Sequence, residues 1–140
     1  MSTTVPPRSE IPKQYTWSTE SIFASDDAWE AEYQRVSATL PALSGYQGRL
    51  AEGPGVLAAY LAESEAALYD VWRVWVYASM GAVVDMADQA AQARDNRAQS
   101  LYARAAAATA FAEPELLQIG FDTLRQWMQA APRLAHYGHY

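Results

Sequence analysis

The sequence predicts an all-α fold of antiparallel helical hairpins, preceded by an extended amino-terminal arm. Three observations point there. Apolar residues recur at spacings of three and four over most of the chain. Alanine, leucine and tyrosine are abundant while β-branched runs are scarce, which favours helix over sheet. Proline and glycine gather at a few points that separate the periodic stretches. The 140 residues are enough for one domain with a core, and 51% hydrophobic against 19% charged residues excludes a wholly disordered chain.

Residues 1–25 read as the arm, because Pro6, Pro7 and Pro12 oppose helix there. Trp17, Ile22 and Phe23 are its apolar anchors. The helical domain then covers 26–140. Its first helix starts at 25–27, where Ser25, Asp26 or Asp27 can cap and Asp27 with Glu30 fits a capping box. Trp29, Tyr33, Val36, Leu40 and Leu43 form one face, and Pro41 is expected to kink or end the helix. Glycines 45, 48, 53 and 55 with Pro54 mark the next connection.

The second helix is expected over 54–84, roughly 45 Å long at 1.5 Å per residue. Leu57, Leu61, Ser64 and Leu68 form its early stripe. From Val71 to Val84 it is apolar nearly all round, interrupted by Arg73, which can pair with Asp70 three residues before. Asp85 to Asp88 reads as a turn, with a continuous helix as the alternative. Residues 87–110 form an alanine-rich helix whose small face, Ala87, Ala91, Ala98 and Ala105, lets a neighbour approach closely. Its Arg94, Arg97 and Arg104 face solvent or carboxylates. The fourth helix, 114–131, begins at Glu113-Pro114-Glu115, a proline and two carboxylates suited to a helix start. Leu117, Phe121, Leu124 and Met128 are its inner stripe, and Pro132 ends it. Residues 134–140 look like the opening of a further helix cut short.

The chemistry the sequence excludes is extensive. A net charge of −6 disfavours a phosphate backbone as partner, and no stretch is long or basic enough for a membrane. With no cysteine there is no disulfide, no thiolate nucleophile and no cysteine-zinc site. The amino terminus lacks the apolar core of a signal peptide, so a cytoplasmic location is expected. His-Glu-x-x-His, Gly-x-Ser-x-Gly, a phosphate loop and a dinucleotide fingerprint are all missing from the sequence. We therefore assign no catalytic and no metal-binding residue, and no cofactor, to the chain.

Three groups remain to be weighed. His136 and His139 would share a helical face, as metal ligands do, but no carboxylate or thiolate completes a set; they read as ordinary histidines. Asp85 and Asp88 read as turn residues rather than a cation site. Tyr69, Trp72, Trp75 and Tyr77 either line a peptide groove or pack in the core, the usual fate of such a cluster. Trp72, Trp75, Tyr77 and, on the fourth helix, Trp127 are thus carried forward as a packing or peptide-contact surface.

Four stretches in order carry a family resemblance. Residues 17–23 (WSTESIF), followed by Asp26-Asp27-Ala28-Trp29, resemble the opening of the oligoendopeptidase F family, zinc metallopeptidases of the thimet-oligopeptidase-like group. Tyr46 to Leu50 resembles its aromatic-x-Gly-x-Leu connection. Val76 to Met80, with Asp85 and Asp88, is similar to its Tyr-Ala … Asp helix end. Residues 110–117 (AFAEPELL), then Pro132-Arg133-Leu134 and 137–140, are similar to its Phe-x-x-Pro-Glu region and its sequel. Ser18, Thr19 and Ala112 depart from the family pattern. The resemblance implies a mostly helical enzyme enclosing a channel for short peptides, with zinc held by His-Glu-x-x-His and a further glutamate in its carboxy-terminal half. None of those residues is among these 140. The chain is then expected to be an amino-terminal, truncated segment forming a wall of the substrate channel. Its partners would be the catalytic carboxy-terminal region, or a second copy of itself, and the parent's oligopeptide substrate. The alternative is a stand-alone helical interaction module without enzymatic activity. An exposed apolar patch is expected on the second helix or at 116–128.

Overall fold

The computed structural model describes residues 6 and 10–138. Among these residues the fold is all-α, with helices α1 (Asp26–Leu43), α2 (Pro54–Val84), α3 (Gln89–Thr109), α4 (Ala112–Ile119), α5 (Phe121–Ala130) and α6 (Pro132–Ala135). The arm is less extended than expected, for it carries short 3-10 turns at Lys13–Tyr15 and Thr19–Ser21. These turns fit because such helices need only one i to i+3 bond to close.

Helix α1 is capped by Ser25, whose Oγ accepts from the Ala28 N–H at 3.2 Å. The anticipated Asp27–Glu30 box does not form, because Ser25 is the cap and Asp27 already lies inside the first turn; the Glu30 carboxylate meets Arg97 on α3. Asp26 and Asp27 still occupy the first turn, where the helix dipole favours negative charge. Pro41 lies inside the last turn, and the helix stops two residues later. Helix α2 begins with Pro54 in its first turn, after Gly53 at a φ of 152°. It runs unbroken for 31 residues and is the spine of the molecule.

Two corrections concern the carboxy-terminal third. The stretch expected as one helix over 114–131 is two, α4 and α5, separated by Gly120 at a φ of 83°. A residue without a Cβ reaches that left-handed region at little cost, so the chain can turn there while the apolar spacing runs on through the break. The final helix starts at Pro132 and closes after one turn. His139 and Tyr140 lie outside the described residues.

The molecule has two cores strung on α2. The first holds Trp29, Val36, Leu40 and Leu43 of α1, Val71, Val74, Tyr77 and Ala78 of α2, and Ala98, Leu101 and Ala105 of α3. The second holds Leu50, Leu57, Ala58, Tyr60 and Leu134, with Phe111, Leu116, Leu124, Trp127 and Met128 packed against it. Glu115 ties this half together. Its carboxylate accepts the backbone N–H of Gly48 and, at 3.3 Å, that of Leu50. The glutamate placed by helix-end electrostatics thus also holds a distant loop.

Candidate functional site

The arm is fastened at its end. Phe23 is buried, edge-on to Tyr77 with ring centroids 5.5 Å apart, and the Arg73 guanidinium lies 4.9 Å from its ring centre. The same arginine donates to the Ile22 carbonyl at 3.1 Å. Trp17 is 67% exposed, so the expected third anchor is not buried.

The arginines of α3 meet carboxylates of α1. Arg94 pairs with Asp26, and Arg97 makes a two-pronged contact with Glu30 at 2.6 and 2.8 Å. Arg104 donates instead to the Ser37 hydroxyl at 2.8 Å. On the other side of α1, Arg35 bridges Glu32 and Asp70. Hydrogen bonds from Arg97 hold the Glu30 carboxyl down at about 2, against an ordinary 4.5. Hydrogen bonds from Arg35 lower Glu32 in the same direction. A lowered carboxyl contributes stability above its ordinary value and loses it as pH falls toward the folded value. Between about pH 4.5 and 2, wild type is therefore expected to lose most of its thermal-stability advantage over Arg97→Met. Melting curves of both proteins across that window check this; a difference that stays constant with pH would refute it. Some difference should survive acid, since Arg97 also lies 4.3 Å from the Tyr33 ring centre.

The residues singled out from sequence do not converge. Tyr77 is buried and its hydroxyl donates to Asp26 at 2.8 Å, with burial first and this bond second pushing the phenol up to about 12. Trp75 is half-buried against the first core, its ring 6.2 Å from that of Tyr102 on α3. Trp127 packs on the second core from α5. Trp72 is 52% exposed. With Leu68 four residues before it and Val83 eleven after, it lies along one side of α2, next to Tyr69; all four are exposed.

Asp85 and Asp88 are both occupied by backbone. Asp85 accepts the Ala87 N–H, and Asp88 caps α3 by accepting those of Ala90 and Ala91 at 2.9 and 3.0 Å. His136 is exposed, edge-on to Tyr137. Among the described residues no three histidines or carboxylates are grouped to hold a metal, and no helix is long and apolar enough to cross a membrane.

The exposed apolar patch expected on the second helix or at 116–128 takes the form of a groove at the second of these places. A groove of about 610 Å³ opens between the first half of α2 and α4–α6. Leu57, Tyr60, Leu61 and Ser64 line one side; Leu116, Leu117, Phe121, Leu124 and Met128 line the other. The turn at Gly120 leaves Leu117 76% and Phe121 69% exposed at the lip.

No protein-family model matches the sequence. The chain is 36% identical over 135 residues to oligopeptidase PepF of Bacillus subtilis (strain 168), covering 96% of this chain and 20% of that protein. It is 29% identical over 133 residues to the plasmid oligoendopeptidase F of Lactococcus lactis subsp. cremoris, covering 94% and 22% respectively. Its fold matches the crystal structure of oligoendopeptidase-F from Enterococcus faecium with a TM-score of 0.77 and 27% identity, over 83% of this chain and 23% of that one. The chain thus spans about a fifth of the length of the curated relatives it matches.

Proposed function

We propose that this chain, similar along nearly its whole length to oligoendopeptidase F proteins and spanning about a fifth of them, is the amino-terminal structural part of a zinc-dependent peptidase of that family acting on oligopeptides in the cytoplasm. In this reading it forms a wall of the substrate channel and contributes no catalytic group. The observation that carries it is similarity along nearly the whole chain to a fifth of each relative. Zinc in such an enzyme, with a glutamate base, would activate water against a peptide carbonyl. The donor set here does not fit that ion: the sequence has no His-Glu-x-x-His and no cysteine, and the described residues group no third ligand. Metal and base belong to the remainder of the enzyme. This chain's part is rigid support, supplied by two cores on one continuous helix.

A chimera tests the reading. This chain would replace the matched 135 residues of the Bacillus subtilis oligopeptidase. The chimera is expected to hydrolyse oligopeptides and to lose that activity to a chelator. The 140-residue chain alone is expected to be inactive with or without added zinc. Chelator-sensitive hydrolysis by the chain alone, or a folded chimera without activity, would overturn the proposal.

A second reading, a stand-alone interaction module, draws support from the first core. Its side chains from α1, α2 and α3 bury one another. An inactive chimera together with a strictly monomeric isolated chain would favour it.

A further inference from the structure

The groove between α2 and α4–α6 has no role in a rigid wall, yet it holds the most exposed large apolar side chains of the carboxy-terminal third. We infer that it is a docking site, and that its occupant is an apolar helix face flanked by a basic side chain, supplied by the carboxy-terminal remainder of the full-length enzyme. The inference rests on the reading above and names the place where the two parts meet.

Three observations select this occupant. The first is supply. The chain spans about a fifth of the curated relatives it matches, so in a full-length relative most of the polypeptide is at hand to cover the groove, at the high effective concentration of a single chain. The second is shape. At about 610 Å³ the groove has room for several apolar side chains, and Leu117 and Phe121 stand proud on one lip as a neighbouring helix would require. The third is charge. Glu113 lines the groove, and Glu65 lies at its edge, accepting from the Tyr137 hydroxyl at 3.0 Å. The Arg125 guanidinium lies 4.6 Å from the Phe121 ring centre on the other lip, so the acidic groups stand on the Glu113 and Glu65 side. Against that side, on a chain of net charge −6, a basic flank is the complementary choice and a second copy of the same chain the poorer one.

The chain has no cysteine, so single cysteines can report coverage directly. Leu117→Cys, Phe121→Cys and, as a control on the arm, Tyr15→Cys would be labelled with a maleimide. Each would be studied in the isolated chain and in the chimera, with labelled peptides identified by mass spectrometry. All three positions are at least 69% exposed, so the substitutions should leave folding intact. Labelling at positions 117 and 121 is expected to be at least tenfold slower in the chimera, with position 15 unchanged. In the chimera carrying Leu117→Cys, adding Glu113→Lys is expected to speed labelling severalfold at low salt. An active chimera that labels at 117 and 121 as fast as the isolated chain would overturn the inference and leave the functional reading standing. Protection that appears in the isolated chain as its concentration rises would overturn it in favour of a second copy. Labelling indifferent to Glu113→Lys would remove the basic flank. An inactive chimera would count against the reading, and the inference would fall with it.

Discussion

Trp29→Ala is expected to destabilise the chain by about 3–5 kcal/mol, the range for removing a large aromatic from a core. Trp29 is 1% exposed and sits where α1, α2 and α3 meet. Its indole N–H donates to the Val74 carbonyl at 2.8 Å, a bond between α1 and the middle of α2. Its ring stacks on Tyr33 at 5.3 Å, and Arg97 lies 5.3 Å from its centre. Truncation would open a cavity, release the hydrogen bond and loosen the Arg97–Glu30 contact above it. Against a typical total stability of about 5–15 kcal/mol, that is a large share. Trp29→Phe should cost less, since it keeps most of the packing and loses the N–H, a bond worth on the order of 1 kcal/mol. Urea unfolding followed by circular dichroism separates the two. A Trp29→Ala loss below about 1 kcal/mol would show that α1 is not anchored there.

The next largest effect is expected from making a residue bigger. Ala98→Leu should cost on the order of 1–3 kcal/mol, because a close-packed contact cannot absorb three added carbons without moving a helix. Ala91, Ala98 and Ala105, spaced by seven, are all buried on α3. Near the α2–α3 turn, a Cβ placed on Gly81 would stand 3.9 Å from the Ala91 Cβ, so the two helices are already in van der Waals contact there. Ala103→Leu, on the exposed side of the same helix, is the control and should stay within about 0.5 kcal/mol of wild type. Equal effects at 98 and 103 would mean that the alanine stripe is helix propensity rather than close packing.

The alanine stripe also shows how far the sequence could be read. Spacing placed Ala91, Ala98 and Ala105 on one face, and they are buried together. Ala87, included in the same stripe, lies in the turn before α3 and is exposed, because Asp88 caps the helix and starts it at Gln89, two residues later than the periodicity suggested. The bounds of α2 were legible at both ends, since Pro54 is a good first residue and Asp85 sits outside the helix. The candidate surface was less legible. Trp72, Trp75 and Tyr77 are neighbours in sequence, yet a helix turns 100° per residue and sends them to solvent, to α3 and to Asp26.

By itself, the sequence determined the all-α class, the three long helices α1 to α3, the absence of catalytic and metal-binding motifs and the family resemblance. Each of these depends on local spacing or on residue identity, which a linear chain displays in full. The tertiary structure alone decided which carboxylate meets which arginine, that Glu115 holds the loop at Gly48, and that α4 and α5 part at Gly120 to leave a groove. These are contacts between residues far apart in sequence, or the φ angle of a single glycine. Apolar periodicity carries no information about either, because a stripe reads the same whether the face it predicts is closed by a partner or left open.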